Sequence, residues 1–344
     1  MALRLIEMVC PEAKREEVEA LAQEHEPLGV WHDRFMDDQV MVRILLPAER
    51  AEAVLDRLES RYSGLEGFRV LLLAVEAAVP RPEAPAAAPA RPSDDVTPAP
   101  LPSRISRQEL YAAISASAQL TRIYLVMIAL SSLVAAIGMW RDNVAVIIGA
   151  MVIAPLLGPN MALSFSTILG DRELGKGALR ALGVGIALAL AISVVLGAVL
   201  RPDAAGPQLA IRAEVSLADI VLALAAGTAG ALAYTTGIHT PLVGVMVAVA
   251  LLPPLVAVGL LLGSGEPRLA TEAALLFLAN LICINLAGVG AFLARGIRPR
   301  TWWEAGKARR TAKHSLTMWV VLLVALVVII LVVHSPGCRP AALP

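Results

Sequence analysis

Apolar and polar residues alternate along residues 2–10 (ALRLIEMVC), the two-residue period of a half-buried strand. Pro11 then opens the stretch PEAKREEVEALAQEH. On a helix its Val18, Leu21 and Ala22 fall on one face and Glu16, Glu17 and Glu24 on the other. Strand patterns follow around residues 29–35 and 39–46, joined at Asp37-Asp38. Residues 48–62 return to the helical period, with Ala51, Val54, Leu55 and Leu58 apolar, and residues 68–79 form a last strand. The order βαββαβ predicts a ferredoxin-like α+β domain over residues 1–79. Glu7 interrupts any secretory apolar core, so the domain is expected in the cytosol. Trp31, His32, Asp33 and Asp38 stand out, but on a strand and turn they fit a solvated edge better than a metal site.

Beyond this domain the pattern changes twice. Residues 80–103 hold 8 prolines among 24 residues, interleaved with alanine, which predicts an extended, semi-rigid linker. Residues 104–122 then read as an amphipathic helix, capped by Ser103 or Ser106 and too polar to span, lying at a membrane surface. After it come seven apolar runs: 123–140, 144–169, 179–200, 217–235, 241–262, 272–293 and 316–333. Each approaches the roughly 20 apolar residues that a hydrocarbon core requires. The chain is therefore predicted to be a polytopic α-helical membrane protein. Its cytosolic α+β domain precedes two membrane repeats, residues 123–200 and 217–294. A basic loop (295–315), a seventh span (316–334) and an external tail (335–344) follow.

Composition agrees: 57% of the 344 residues are hydrophobic and 17% charged, with a mean hydropathy of +0.70. The formal net charge of zero hides an asymmetry. Residues 1–80 carry 9 basic and 16 acidic residues, and the remainder carries 20 and 13. Lys and Arg fall 13 on one side of the seven runs and 5 on the other, which predicts a cytoplasmic N-terminus and an external C-terminus in an inner membrane. The basic loop with Trp302 and Trp303 fits the lipid headgroups better than nucleic acid, which is not expected as a partner. The three cysteines are too few for a disulfide framework.

An internal repeat appears at an offset of 95 residues. Between residues 149–171 and 244–266, 8 of 23 positions are identical, including Gly149/Gly244, Pro159/Pro254 and Gly170/Gly265. Three spans per repeat is an odd number, so the second copy is expected to run inverted, the arrangement of many secondary transporters. Both copies carry proline interruptions: Pro155, Gly158 and Pro159 in the second span, Pro253 and Pro254 in the fifth. Proline removes a donor and disturbs the preceding turn, so all four prolines are expected to mark non-helical backbone. Asn160 and Ser164 follow the first break, and Asn280 and Asn285 lie in the sixth span, about 140° apart on an ideal helix at 100° per residue. These nine residues form the candidate pathway for a small solute or ion. Singly, a packing kink explains each proline, and interhelical hydrogen bonding explains each asparagine.

No charged residue sits deep in any run, and the carboxylates of Asp142, Asp171, Asp219 and Glu272 all fall at span ends, so no buried carboxylate is expected for proton coupling. Nucleotide-binding, zinc-protease and serine-hydrolase motifs are absent, and Leu169-Gly170-Asp171 lacks the first glycine of an aspartyl-protease motif. No enzyme, catalytic residue, cofactor or metal is expected. The stretch VIIGAMVIAPLLGP (146–159), within a longer match over residues 104–295, resembles the DUF389 family of bacterial and archaeal membrane proteins, also described as an uncharacterized hydrophobic domain. That resemblance implies a polytopic membrane protein and assigns no functional residue. Two functions follow from the residues. One is a channel, facilitator or secondary transporter, homo-oligomeric, with a cytosolic regulatory or assembly domain. The other is a membrane sensor or scaffold that transports nothing and whose N-terminal domain binds a ligand or partner.

Overall fold

The computed structural model describes residues 3–36, 38–64, 68–75, 106–204, 206–212, 216–237 and 241–297, with isolated positions 78, 317, 319–321 and 324. The linker over 80–103, the basic loop over 298–315 and most of the seventh apolar run lie outside the described residues. The chain divides into two compact units, Met1–Ala112 and Ala113–Pro344.

In the first unit, strands β1 (Leu3–Pro11), β2 (Gly29–Met36), β3 (Gln39–Pro47) and β4 (Arg69–Val75) form one antiparallel sheet in the order β2-β3-β1-β4. Helices α1 (Arg15–Gln23) and α2 (Ala48–Tyr62) connect them, so the element order is βαββαβ. Even-numbered residues of β1 and β3 point into the core. Ile6, Met8, Val42 and Ile44 are fully buried against Val18 of α1 and Val54 and Leu58 of α2. The helices cover only one face of the sheet. Burial, reinforced by the charges of Glu12 and Glu19, pushes the Cys10 thiol above its ordinary pKa, so it stays protonated and inert at neutral pH. Helix α3 (Arg107–Ser117), whose residues from Ala113 onward belong to the second unit, is capped at Ser106, whose hydroxyl accepts from the Glu109 amide at 3.1 Å. Arg4 donates two hydrogen bonds to the Glu109 carboxylate, at 3.0 and 3.1 Å.

The second unit is helical. Five helices are long and apolar enough to cross a membrane: α4 (Arg122–Trp140), α7 (Arg172–Leu200), α9 (Leu217–Thr236), α10 (Pro241–Ser264) and α11 (Pro267–Ala294). A sixth crossing is available if α5 (Val144–Ile153) and α6 (Leu157–Leu169), bent by 54° at their junction, count as one span. The protein is thus a multi-pass membrane protein with five or six described spans. A one-turn helix, α8 (Pro207–Ala210), lies between α7 and α9. Of the predicted seventh span, Thr317, Trp319, Val320, Val321 and Val324 are described as helical, and Trp319 packs on Ala279 and Ile282 of α11.

Local chemistry sets the boundaries. Thr121 caps α4, Asn143 caps α5 and Asp171 caps α7, each through a side-chain oxygen that accepts from backbone N–H groups of the first turn. Gly170 ends α6 with a φ of 69°, a left-handed conformation that suits a residue without Cβ. Helix α10 is central, packing against α4, α5, α7, α9 and α11.

Its closest neighbour is α7, and small residues make the approach possible. A Cβ on Gly263 would strike the Val194 carbonyl, one on Gly259 would strike Ser193, and one on Gly197 would strike the Leu260 carbonyl. Gly259-x-x-x-Gly263 and Ser193-x-x-x-Gly197 are small-residue pairs one helical turn apart, which let backbones meet where lipid gives no hydrophobic drive. Gly263→Ala is expected to lower stability by about 1–3 kcal/mol through overpacking. Gly183→Ala, at a position of α7 open to its surroundings, is expected to leave stability unchanged or slightly raised. Thermal unfolding of both variants in detergent checks this; equal effects would contradict the close α7–α10 contact.

Candidate functional site

The break between α5 and α6 follows from one proline. The residue before a proline is disfavoured in the helical region, and Ala154 adopts an extended conformation with φ −68° and ψ 118°. The chain turns through Pro155 and resumes as α6 at Leu157. Contrary to the expectation for Pro159, Gly158 and Pro159 are helical: they occupy the first turn of α6, where a missing N–H leaves no helical bond unmade. Gly158 is needed for another reason. Any side chain there would collide with the backbone of Ser117, the last residue of α3. The Ser117 hydroxyl in turn accepts from Tyr234 of α9 at 2.9 Å.

Immediately beyond the break, Asn160, Ser164 and Asn285 form a network between α6 and α11. All three are fully buried. Asn160 donates to the carbonyl of Leu156, the N-cap residue of α6, at 2.7 Å. Its own side-chain oxygen accepts from Asn285 at 3.0 Å. The Asn285 amide also reaches the Leu281 carbonyl of its own helix at 2.9 Å. The Ser164 hydroxyl has the Asn160 carbonyl at 3.1 Å and the Asn285 carbonyl and side-chain oxygen at 3.1 and 3.2 Å. Gly288 keeps this approach open, because a Cβ there would stand 2.7 Å from the Ser164 oxygen. One turn on, the Thr167 hydroxyl donates back to the Leu163 carbonyl.

The fifth span corrects an expectation. Pro253 and Pro254 were expected to mark non-helical backbone, yet α10 runs unbroken from Pro241 to Ser264 with both prolines inside it. Each proline removes the donor for the carbonyl four residues earlier, so Pro253 frees Val249 and Pro254 frees Ala250. Asn280 on α11 supplies the missing donor for the second, its amide reaching the Ala250 carbonyl at 2.8 Å. Helices pack against α10 on several sides, whereas α5 and α6 diverge by 54°. The repeat itself contributes, since the counterpart of Pro155 at the 95-residue offset is Ala250, which favours helix.

The structure therefore divides the nine sequence candidates into two sites. Pro155, Gly158, Pro159, Asn160, Ser164 and Asn285 gather at the α5–α6 break. Pro253, Pro254 and Asn280 gather on the other face of α11, in keeping with the 140° separation of the two asparagines. Among the described residues of the second unit, no Asp, Glu, Lys or Arg is buried. The chemistry available inside the bundle is that of neutral amides, hydroxyls and freed carbonyls. Of the four residues singled out in the first domain, His32 pairs with Glu19 of α1 at 2.9 Å, while Trp31 and Asp33 face away from the helices. Sequence reasoning missed Gly259, Gly263, Gly288 and Ser117. The four-residue glycine spacing was visible in the sequence; the partners of Gly288 and Ser117 exist only after folding.

The profile of the family described as Domain of unknown function (DUF389) matches residues 151–286. An uncharacterized protein of Methanocaldococcus jannaschii is 35% identical over 290 residues, which cover 84% of this chain and 87% of that protein. The chain belongs to the DUF389 family. No solved structure matches it. The DUF389 segment begins within α5 and ends within α11, so it contains all nine candidate residues and both sites.

The pairing of Pro254 with Asn280 can be checked in this DUF389 chain by a double-mutant cycle. Asn280→Leu leaves the Ala250 carbonyl without a donor and is expected to cost about 1–2 kcal/mol. In a Pro254→Ala background the backbone N–H returns to that carbonyl, and the same substitution is expected to lose most of its effect. Additive effects in detergent unfolding would refute the pairing.

Proposed function

We propose that this protein is a membrane transport protein, a channel or facilitator for a small solute or ion, whose pathway opens at the α5–α6 break. The observation that carries the reading is the extended backbone at Ala154, 54° from straight, beside a buried network of neutral polar side chains. Irregular backbone at membrane depth is tolerated where protein or a wet cavity satisfies it, and such breaks mark binding sites in transporters. In this reading Asn160, Ser164 and Asn285 close the path by bonding to one another, and opening separates α6 from α11.

The proposal extends to the architecture. The two triplets, α4 with α5–α6 and α7, and α9 with α10 and α11, are read as an inverted 3+3 repeat. Support comes from their packing as well as from the 95-residue offset. Helix α7 lies along α10, and α6 lies along α11; exchanging the triplets turns the first pairing into the second. A seventh span over 316–334 and the excess of basic residues on one side put the N-terminus in the cytoplasm of an inner-membrane protein. The first domain, with sheet order β2-β3-β1-β4, is read as a ferredoxin-like domain that regulates or assembles a homo-oligomer. Nucleic acid, cofactors and enzymatic chemistry have no part in this reading.

A second reading has its own observation. The hydrogen bonds of Asn160, Asn285 and Asn280 run between neighbouring helices, as they would in a scaffold that moves nothing. Flux separates the two. The purified protein in liposomes is expected to pass at least one of Na⁺, K⁺, Cl⁻ or a small neutral solute faster than empty vesicles. The rate should not change between pH 5.5 and 8, because the network has no group that titrates there. Pro155→Ala, which allows α5 to continue into α6, is expected to cut the flux at least tenfold without lowering thermal stability. No flux for any of these solutes would sink the transport reading and leave the scaffold.

A further inference from the structure

The helices of the first domain cover one face of its sheet; the other carries exposed apolar side chains, with Trp31, Leu71 and Leu73 between 43% and 53% exposed. The register fixes which residues lie side by side there, in three rows running from β2 through β3 and β1 to β4. One row is Gly29, Leu45, Leu5 and Leu73; the next is Trp31, Arg43, Glu7 and Leu71; the third is Asp33, Met41, Val9 and Arg69. Within the chain, Arg43 donates to Glu7 at 2.8 Å and pairs with Asp33. Arg69 sits exposed at the β4 edge, at the opposite end of its row from Asp33.

Each row complements its own reverse. Turned about a two-fold axis parallel to the strands and lying between β1 and β3, a second sheet would bring Leu73 over Gly29, where the Trp31 ring already covers the glycine and offers an apolar surface, and Leu5 over Leu45. In the next row Glu7 falls on Arg43, and Leu71 on Trp31. In the third, Arg69 falls on Asp33, and Val9 on Met41. Every charge meets its opposite and every large apolar side chain meets another apolar or a glycine. Two sheets packed face to face keep their strands within about 30° and about 10 Å apart, and a two-fold interface requires this kind of self-complementarity. Attachment to a membrane raises the effective concentration of such a domain, so a modest face suffices.

We propose that the open sheet face is a homodimer interface, occupied by the same face of a second copy of this chain in the arrangement just described. The proposal rests on the assembly role read above for this domain and is independent of transport. Its distinguishing feature is that Asp33 of one copy meets Arg69 of the other. Two Asp33 residues would instead be offset by about 14 Å along the sheet, three strand spacings, as well as by the roughly 10 Å between sheets, and so lie about 17 Å apart.

The test uses the full-length chain in lipid nanodiscs or native membranes, with Cys338→Ser; Cys10 and Cys283 are buried. A bis-maleimide whose spacer matches the roughly 10 Å between packed sheets is applied to Asp33→Cys, Arg69→Cys and the double variant. The double variant is expected to give a covalent dimer, and an equimolar mixture of the two single variants likewise. Each single variant alone should give at least tenfold less. Leu73→Glu, at an exposed position away from the helix-covered core, is expected to reduce the crosslinked fraction of the double variant at least tenfold. Equal crosslinking by the single variants, or none by the double variant, would overturn the arrangement. If light scattering still finds a dimer in that second case, assembly stands and uses another surface.

Discussion

Inside a bilayer no water is available to satisfy a backbone group, and a proline in a spanning helix always leaves one carbonyl short of a donor. Pro155, Pro253 and Pro254 create that problem here, and the chain meets it in two ways. At Pro155 the helix gives way: Ala154 becomes extended and the axis swings by 54°. At Pro253 and Pro254 the helix holds, and an asparagine from the neighbouring helix donates to the Ala250 carbonyl. At the first site the Asn160 amide donates to the carbonyl of Leu156, the N-cap residue of its own helix, and so fixes the first turn of α6 just after the bend. Each asparagine thus has a definite partner. The backbone group that each amide satisfies offsets part of the cost of burying it, although the Asn280 side-chain oxygen has no hydrogen-bond partner among the described residues.

This constraint ties the break to the rest of the bundle. Asn160 also accepts from Asn285, so the first turn of α6 is fixed to α11. Asn280, five residues earlier on α11, fixes that helix to α10. Gly259, Gly263 and Gly197 bring α10 against α7 at backbone distance. A chain of contacts therefore runs from the α5–α6 break through α11 and α10 to α7, every link depending on a small or neutral polar residue. Movement of α6 would have to break the Asn160–Asn285 bond first. That makes the network a natural gate in the transport reading and a natural lock in the scaffold reading.

Much of the fold was legible in the residues because its signals are local. The period-two alternation of residues 2–10, the 3.6-residue period of residues 48–62 and the lengths of the apolar runs placed the elements of the first domain and the described spans. The break at Pro155 was legible for the same reason, since proline acts on the residue just before it. Pro253 and Pro254 misled, because whether a proline breaks a helix depends on neighbours that sequence does not locate. With helices packed around it and Asn280 supplying a donor, α10 stays unbroken. The two asparagines on different faces of α11 were readable from helical geometry, but their partners were not. The pairing across the sheet that underlies the open face was equally hidden, because strand order and register arise from contacts distant in sequence.

The central claim is that a buried asparagine, Asn280, supplies the donor to the Ala250 carbonyl that Pro254 has freed. Solid-state NMR of the protein in bilayers tests it directly, through dipolar recoupling between the Ala250 carbonyl carbon and the Asn280 side-chain nitrogen. The account predicts a coupling of the size expected for a hydrogen-bonded pair in the unaltered protein. A missing coupling, with the Asn280 side chain well ordered, would contradict it.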